Sequence, residues 1–129
     1  MLTVGISNEI VTEVTNENTA VALKSGMLEV FATPAMAALM EETCFKSVQG
    51  EMEDGWGTVG TSLNIGHLSA TPIGMKVQCV SKLVEVDGRR LVFDIQVFDD
   101  AGLIGQGTHE RFMIQNEKFM EKAKKKAGK

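Results

Sequence analysis

The chain has no tyrosine, one tryptophan and only 5 % aromatic residues. With so few rings, and none interleaved with basic side chains, it offers no surface on which nucleic-acid bases could stack. Positive charge is also scarce: 13 Lys and Arg stand against 17 Asp and Glu, a net charge of −4. Six of the lysines fall at 118, 122, 124, 125, 126 and 129, which leaves seven basic residues before them against fifteen acidic ones up to Glu110. Such a body repels a phosphate backbone, so no nucleic-acid partner is expected. No apolar run approaches the roughly 20 residues that span a bilayer. The first residues lack a basic-then-apolar pattern, and Glu9 and Glu13 arrive early. No membrane association is expected, and a cytoplasmic location is the default.

Cysteine and histidine are equally sparse, at two each. Cys44 and Cys79 match no CxxC pair and no metal spacing, and read as buried thiols in a reducing compartment. His67 and His109 have no cysteine or carboxylate at ligand spacing, so no metal is expected. Gly55, Gly57 and Gly60 are not followed by GK[ST] or by a helix, so they do not form a phosphate loop, and no cofactor is called for.

What is present fits one globular domain over residues 1–129: 43 % hydrophobic and 23 % charged. Residues 2–23 alternate irregularly and predict one or two short strands around the polar TNENT turn. Over residues 34–48, Met36, Leu39, Met40, Thr43, Cys44 and Val48 recur at helical spacing. Thr33 is placed to cap this helix with its hydroxyl, Pro34 suits its first position, and Gly50 marks its end. Only strand signals follow. Residues 58–68 are β-like, with glycines that point to close packing or a bulge. Residues 75–86 and 91–98 flank Asp87-Gly88, a dipeptide suited to a type I′ hairpin turn. Leu91, Phe93, Ile95 and Val97 alternate cleanly onto one face. Residues 103–114 form a last strand, and residues 117–129 a lysine-rich tail or short helix. One apolar helix followed by an antiparallel meander is an α+β architecture: the curved sheet must cover the helix. The same pattern also permits other α+β sheets, including a cystatin-like one.

Three polar residues stand out in apolar or glycine-rich settings: Thr33 and Glu41 on the helix, and His67 in GTVGTSLNIGHLSATPIG, residues 57–74. Taken singly each has an ordinary structural role, as cap, surface partner and satisfied imidazole. His109, beside Glu110 and Arg111, reads as structural, and Arg111 could hold a carboxylate across the sheet. Met27, Met36, Met40, Met75 and Phe31 read mostly as core, with pocket lining as the alternative.

Together with FATPAMAALMEETC (31–44), VDGRRLVFDIQVFDD (86–100) and GQGTHERFMI (105–114), these segments resemble the hotdog-fold thioesterases. The nearest type is the fluoroacetyl-CoA thioesterase family. The resemblance implies a hotdog fold, with a curved antiparallel sheet wrapped around one long central helix. It implies hydrolysis of an acyl-CoA to the free acid and coenzyme A, with Thr33, Glu41 and His67 as the catalytic group. It sets Gly60 at the position whose backbone N–H meets the thioester carbonyl, and Arg111 near the site. It also implies a homodimer with active sites at the interface. The segment before the helix lacks the aromatic, lid-like character of the fluoroacetyl enzyme, so the acyl group is open.

The chemistry suits these residue types. Glu41 could attack the carbonyl or activate water. Gly60 admits a ligand close to the main chain, where an N–H can stabilise an oxyanion. His67 could protonate the leaving thiolate. Lys76, Lys82, Arg89 and Arg90 are candidates for the coenzyme A phosphates. Two rival functions are a non-catalytic binder of acyl-CoA or another apolar ligand, and a hotdog dehydratase or hydratase. Asn64, Gly66 and His67 lack the histidine-to-acid run usual for the latter.

Overall fold

A computed structural model describes residues 2–128. The order is β1 (Ser7–Glu13), α1 (Thr33–Gln49), β2 (Trp56–His67), β3 (Lys76–Asp87), β4 (Arg90–Asp99), β5 (Gly102–Gln115) and α2 (Asn116–Lys125). The five strands form one antiparallel sheet in the order β1-β3-β4-β5-β2. Helix α1 lies against one face of it, which is the hotdog arrangement expected from the sequence.

The core forms where the helical and strand periods meet. Met36, Met40, Cys44 and Val48 recur every four residues and are fully buried. Val77, Cys79 and Leu83 of β3 and Leu91, Phe93, Ile95 and Val97 of β4 face them. Fully burying one such side chain is worth roughly 1.5–3 kcal/mol, and this stripe fixes α1 on the sheet. Thr43 lies within it and returns its hydroxyl to Leu39 O at 2.7 Å. Burial, and next the neighbouring Cys79, push the Cys44 thiol up to about 12. Both cysteines are free, buried and neutral.

Three local expectations are corrected. Ala32, not Thr33, is the N-cap of α1; no side chain caps it, and Thr33 is the first helical residue with Pro34 second. The Thr33 hydroxyl is engaged elsewhere, as described below. The hairpin pairs Asp87 with Arg90, so Gly88 and Arg89 are its central residues. Of these only Gly88 has positive φ, +61°, which is the glycine-first pattern of a type II′ turn rather than I′. Of the one or two short strands expected over residues 2–23, one forms; residues 21–24 turn instead, where Asn18 ties the preceding turn to Thr15 N and Glu13 O and Lys24 adopts φ +59°. Met27 is 91 % exposed, since it lies in the loop before the helix, whereas Phe31, Met36 and Met40 are core.

Gly50 does end α1, with an ordinary right-handed φ of −66°. Residues 116–125 are helical, start with the Gln115 side chain accepting from Lys118 N, and bury nothing. No helix among the described residues is long and apolar enough to cross a membrane.

Gly107 of β5 faces a different constraint. A Cβ there would sit 2.5 Å from the carbonyl oxygen of Asn64 on β2, and a paired strand cannot step aside. Gly107→Ala is expected to destabilise the fold by about 1–3 kcal/mol in urea unfolding, as overpacking does. Gly50→Ala, at right-handed φ with open space, is the control and should stabilise by about 0.4–1 kcal/mol. Equal midpoints for the two variants would contradict the close approach of β2 and β5.

Candidate active site

Strand β2 carries the site because it is irregular. A regular strand alternates its faces, so residues seven apart point opposite ways. The pairing with β5 shifts between Gly60 and Ser62, leaving Thr61 as an extra residue. Thr61 Oγ1 donates to Glu110 O at 3.1 Å and anchors this bulge. The alternation is thereby reset, and both Gly60 and His67 face α1.

At one end, Thr33 Oγ1 lies 2.7 Å from His67 Nδ1. The hydroxyl that the sequence offered as a helix cap instead orients an imidazole on β2. His67 Nε2 is buried and has no hydrogen-bond partner among the described residues.

At the other end, Glu41 of α1 approaches Gly60 of β2. A Cβ on Gly60 would lie 3.0 Å from Glu41 Oε1, 3.1 Å from His109 Cε1 and 3.3 Å from Arg111 Nη1. Glycine is therefore the residue that lets carboxylate, imidazole and guanidinium converge on β2 backbone. Arg111 Nη1 is 3.9 Å from Glu41 Oε1, an electrostatic contact too long to be a hydrogen bond. The adjacent Glu42 points away and pairs with Lys46 at 2.6 Å. Glu41 is the carboxylate that faces the sheet.

Arg111 is held by neutral acceptors. Its Nε donates to Thr58 Oγ1 at 2.8 Å, its Nη2 to Thr58 O at 2.9 Å, and its Nη1 lies 3.1 Å from His109 Nε2. Its guanidinium also sits over the Phe45 ring, 5.7 Å from the centroid. Burial pulls it below the usual arginine value and Glu41 opposes this, but arginine starts so high that it stays cationic.

His109, which the sequence reads as structural, is buried beside Arg111. Its Nδ1 lies 2.8 Å from Ser62 O. The signal for this place was its position two residues before Arg111, which sets both on one face of β5. Among the described residues no three His, Cys, Asp or Glu side chains lie together as a metal-binding group.

Of the residues singled out, the fold brings together Thr33 with His67, and Glu41 with Gly60 and Arg111. It does not join the two groups in one chain: no hydrogen bond or ion pair links them among the described residues. Eight helical residues set Glu41 about 12 Å along the axis from Thr33. Of the basic candidates, Arg90 is engaged by Glu110 at 2.7 Å and Glu85 at 2.6 Å. Arg89 lies over the Trp56 ring, 4.9 Å from its centroid.

Burial lowers the His109 imidazole below its ordinary value; the Ser62 carbonyl raises it, Arg111 lowers it and Glu41 raises it. Above the ordinary histidine value, about 6.5, folded and unfolded forms are both neutral and no difference arises. As pH falls through that value the unfolded chain takes a proton that the folded chain refuses. Stability therefore drops until the lower folded value is passed. Urea unfolding between pH 7.5 and 5 should show a steeper acid loss for the wild type than for His109→Gln. An equal or shallower slope would contradict a neutral buried His109.

A family model described as fluoroacetyl-CoA-specific thioesterase matches residues 14–117. The fluoroacetyl-CoA thioesterase of Streptantibioticus cattleyicolor is 42 % identical over 98 residues, which are 76 % of this chain and 70 % of that protein. A solved structure of a fluoroacetyl-CoA thioesterase superposes with a TM-score of 0.93 at 35 % identity, covering 98 % of both chains. A mutant of a fluoroacetyl-CoA-specific thioesterase, solved with fluoroacetate and CoA, gives 0.86 at 35 % identity over 92 % of this chain and 99 % of that one. With more than half of its length matched by the family model, the chain belongs to the fluoroacetyl-CoA-specific thioesterase family and is an acyl-CoA thioesterase.

Proposed function

We propose that the chain hydrolyses a short acyl-CoA with Glu41 as the reacting carboxylate, in a site completed by a second copy of the chain. The observation that carries this reading is the Glu41 carboxylate set against Gly60 and facing Arg111. Among the described residues Arg111 is its one polar contact, and that contact is long, so its lone pairs are available. They can accept a proton from an attacking water or attack the carbonyl carbon directly. Gly60 leaves bare main chain where the developing oxyanion would lie. The carbon–sulfur bond breaks and the thiolate takes a proton. In the water route that proton is the one Glu41 took up, and in the direct route solvent supplies it; with Thr33 donating to Nδ1, the neutral His67 carries its proton on Nε2 and is suited to hydrogen-bond the departing sulfur.

Two observations support a site shared between two copies. Gly60 and His67 are roughly 20 Å apart along β2, at about 3.3 Å per residue with one residue taken up by the bulge, too far to act on one thioester. Strand β2 is also a sheet edge with an unpaired side. Antiparallel pairing of two β2 strands centred on Asn64, with Leu63 against the second copy's Ile65 and Thr61 left as the extra residue, would bring Gly60 alongside the second copy's His67. Opposed residues in such a pair share a face, as the chemistry requires. The unpaired thiols Cys44 and Cys79 fit a reducing, cytoplasmic setting. Solved relatives hold fluoroacetate and CoA in one case and acetyl-CoA in another, which supports a small acyl group here.

Thiol release should be measured across fluoroacetyl-, acetyl-, medium-chain and aromatic acyl-CoAs. Short acyl groups should turn over fastest, and Glu41→Ala should lose at least about 100-fold in kcat, the scale of a lost general base. Turnover unchanged in folded Glu41→Ala would sink Glu41. Tight binding with no release by the wild type would favour a binding protein, and loss of enoyl absorbance without thiol release would favour a hydratase.

The shared site has its own test. Glu41→Ala and His67→Ala homodimers should each be nearly inactive. Mixed and re-paired, they should regain roughly a quarter of wild-type activity, because half of the dimers then carry one intact site of two. A site within one chain regains nothing on mixing.

A further inference from the structure

We propose that His109 is a positioning residue for this site: as a neutral imidazole protonated on Nδ1, it fixes the Arg111 guanidinium that faces Glu41. The inference rests on Glu41 being the reacting carboxylate. It begins with the hydrogen bonds. Arginine only donates, so His109 Nε2, 3.1 Å from Arg111 Nη1, must accept. The proton is then on Nδ1 and is donated to Ser62 O at 2.8 Å. An imidazolium carries N–H on both nitrogens and would turn a donor toward a donor.

The surroundings enforce that state. Strand β4 supplies the Phe93 ring, 6.2 Å from His109 between centroids, and β2 supplies the Ser62 carbonyl and Leu63 opposite. The charged groups facing His109 are Arg111 on its own strand and Glu41 from α1. Cys44 of α1, next to this cluster, is a neutral thiol. Nothing else among the described residues competes for Nε2.

The consequence is geometric. Two of the three acceptors of Arg111 belong to Thr58, which lies before the bulge on β2. The third is His109, whose own anchor, Ser62, lies just after it. Arg111 and His109 thus bridge the bulge on the side facing α1, and the bulge is what sets Gly60 against Glu41. Loss of the imidazole frees Nη1, so that the guanidinium can swing toward Glu41 and close on it as a hydrogen-bonded pair. That would occupy the lone pairs the reaction needs while leaving coenzyme A binding untouched.

The test uses the full chain and its fastest acyl-CoA from the panel. His109→Leu removes the acceptor at similar volume; His109→Gln retains a carbonyl acceptor. His109→Leu should lower kcat about tenfold or more with KM within about twofold, and His109→Gln should recover most of the loss. On an Arg111→Gln background, His109→Leu should cost less than about twofold, because its effect runs through the guanidinium. Folded His109→Leu with wild-type kcat, or His109→Gln falling as far, overturns the proposal. Should His109→Leu fail to fold, the wild type still decides. Long-range ¹H–¹⁵N spectra at neutral pH must show His109 as the Nδ1–H tautomer, and an Nε2–H tautomer or an imidazolium overturns it. Full activity in Glu41→Ala marks failure of the Glu41 reading instead, and the tautomer then reports on His109 and Arg111 alone.

Discussion

One extra residue, Thr61, sets which face the residues around it present to the helix. Gly60 and His67 are seven apart, and an unbroken strand would send one of them to solvent. The bulge gives both the same face. The helix opposite makes a matching adjustment. Eight residues separate Thr33 from Glu41, about 80° beyond two full turns, so the two leave the buried stripe at its margins and not at its centre. Each then meets a different stretch of β2. Without the bulge, Thr33 would have no imidazole to hold, or Glu41 no glycine to lie against.

The second constraint is electrostatic. A guanidinium with 8 % side-chain exposure carries a full charge out of water. Its compensation comes from two Thr58 oxygens, one imidazole nitrogen and the Phe45 ring, with the carboxylate at a longer distance. Planar geometry matters here: the fork of an arginine reaches acceptors on two strands at once, which the point charge of a lysine does not. Because the near contacts are neutral, the charge stays directed at Glu41 without saturating its oxygens. A direct bidentate pair would be tighter and would leave less of the carboxylate for chemistry.

Much of this was legible in the sequence, for reasons that differ by residue. The alternation of Leu91, Phe93, Ile95 and Val97 and the four-residue recurrence of Met36, Met40, Cys44 and Val48 fixed the helix and the meander, because burial imposes those periods. Glu41 could not be separated from Glu42 by period alone; family resemblance selected it, and the Glu42–Lys46 pair shows the other carboxylate facing solvent. Thr33 reads locally as a cap because a threonine before a proline satisfies that rule, while the imidazole that engages its hydroxyl is 34 residues away. The hairpin turn lies one residue beyond Asp-Gly, since Asp-Gly and Gly-Arg are both allowed loops and only the strand register chooses. His109 reads as structural in the sequence, and its partners, Ser62 and Arg111, come together only once β2 is paired to β5 around the bulge. Long-range pairing decides such roles, and no local window contains it.

An exposed sheet edge is ordinarily a hazard, open to pairing with any other strand. Here the edge strand β2 is twelve residues long and holds Gly60 and His67 near opposite ends. Charged or proline-blocked edges are the usual protection, yet its central residues, Leu63, Asn64 and Ile65, carry neither. Evolution could blunt that edge only by giving up the pairing that would unite the two half-sites. In the dimer proposed above, one interface would meet both demands, because the antiparallel pairing that covers the edge would also set each glycine end beside a histidine end. On this argument the bulge has a further role. It confines irregularity to one point in the strand, leaving residues 62–67 regular enough to pair while Gly60 is turned toward the carboxylate.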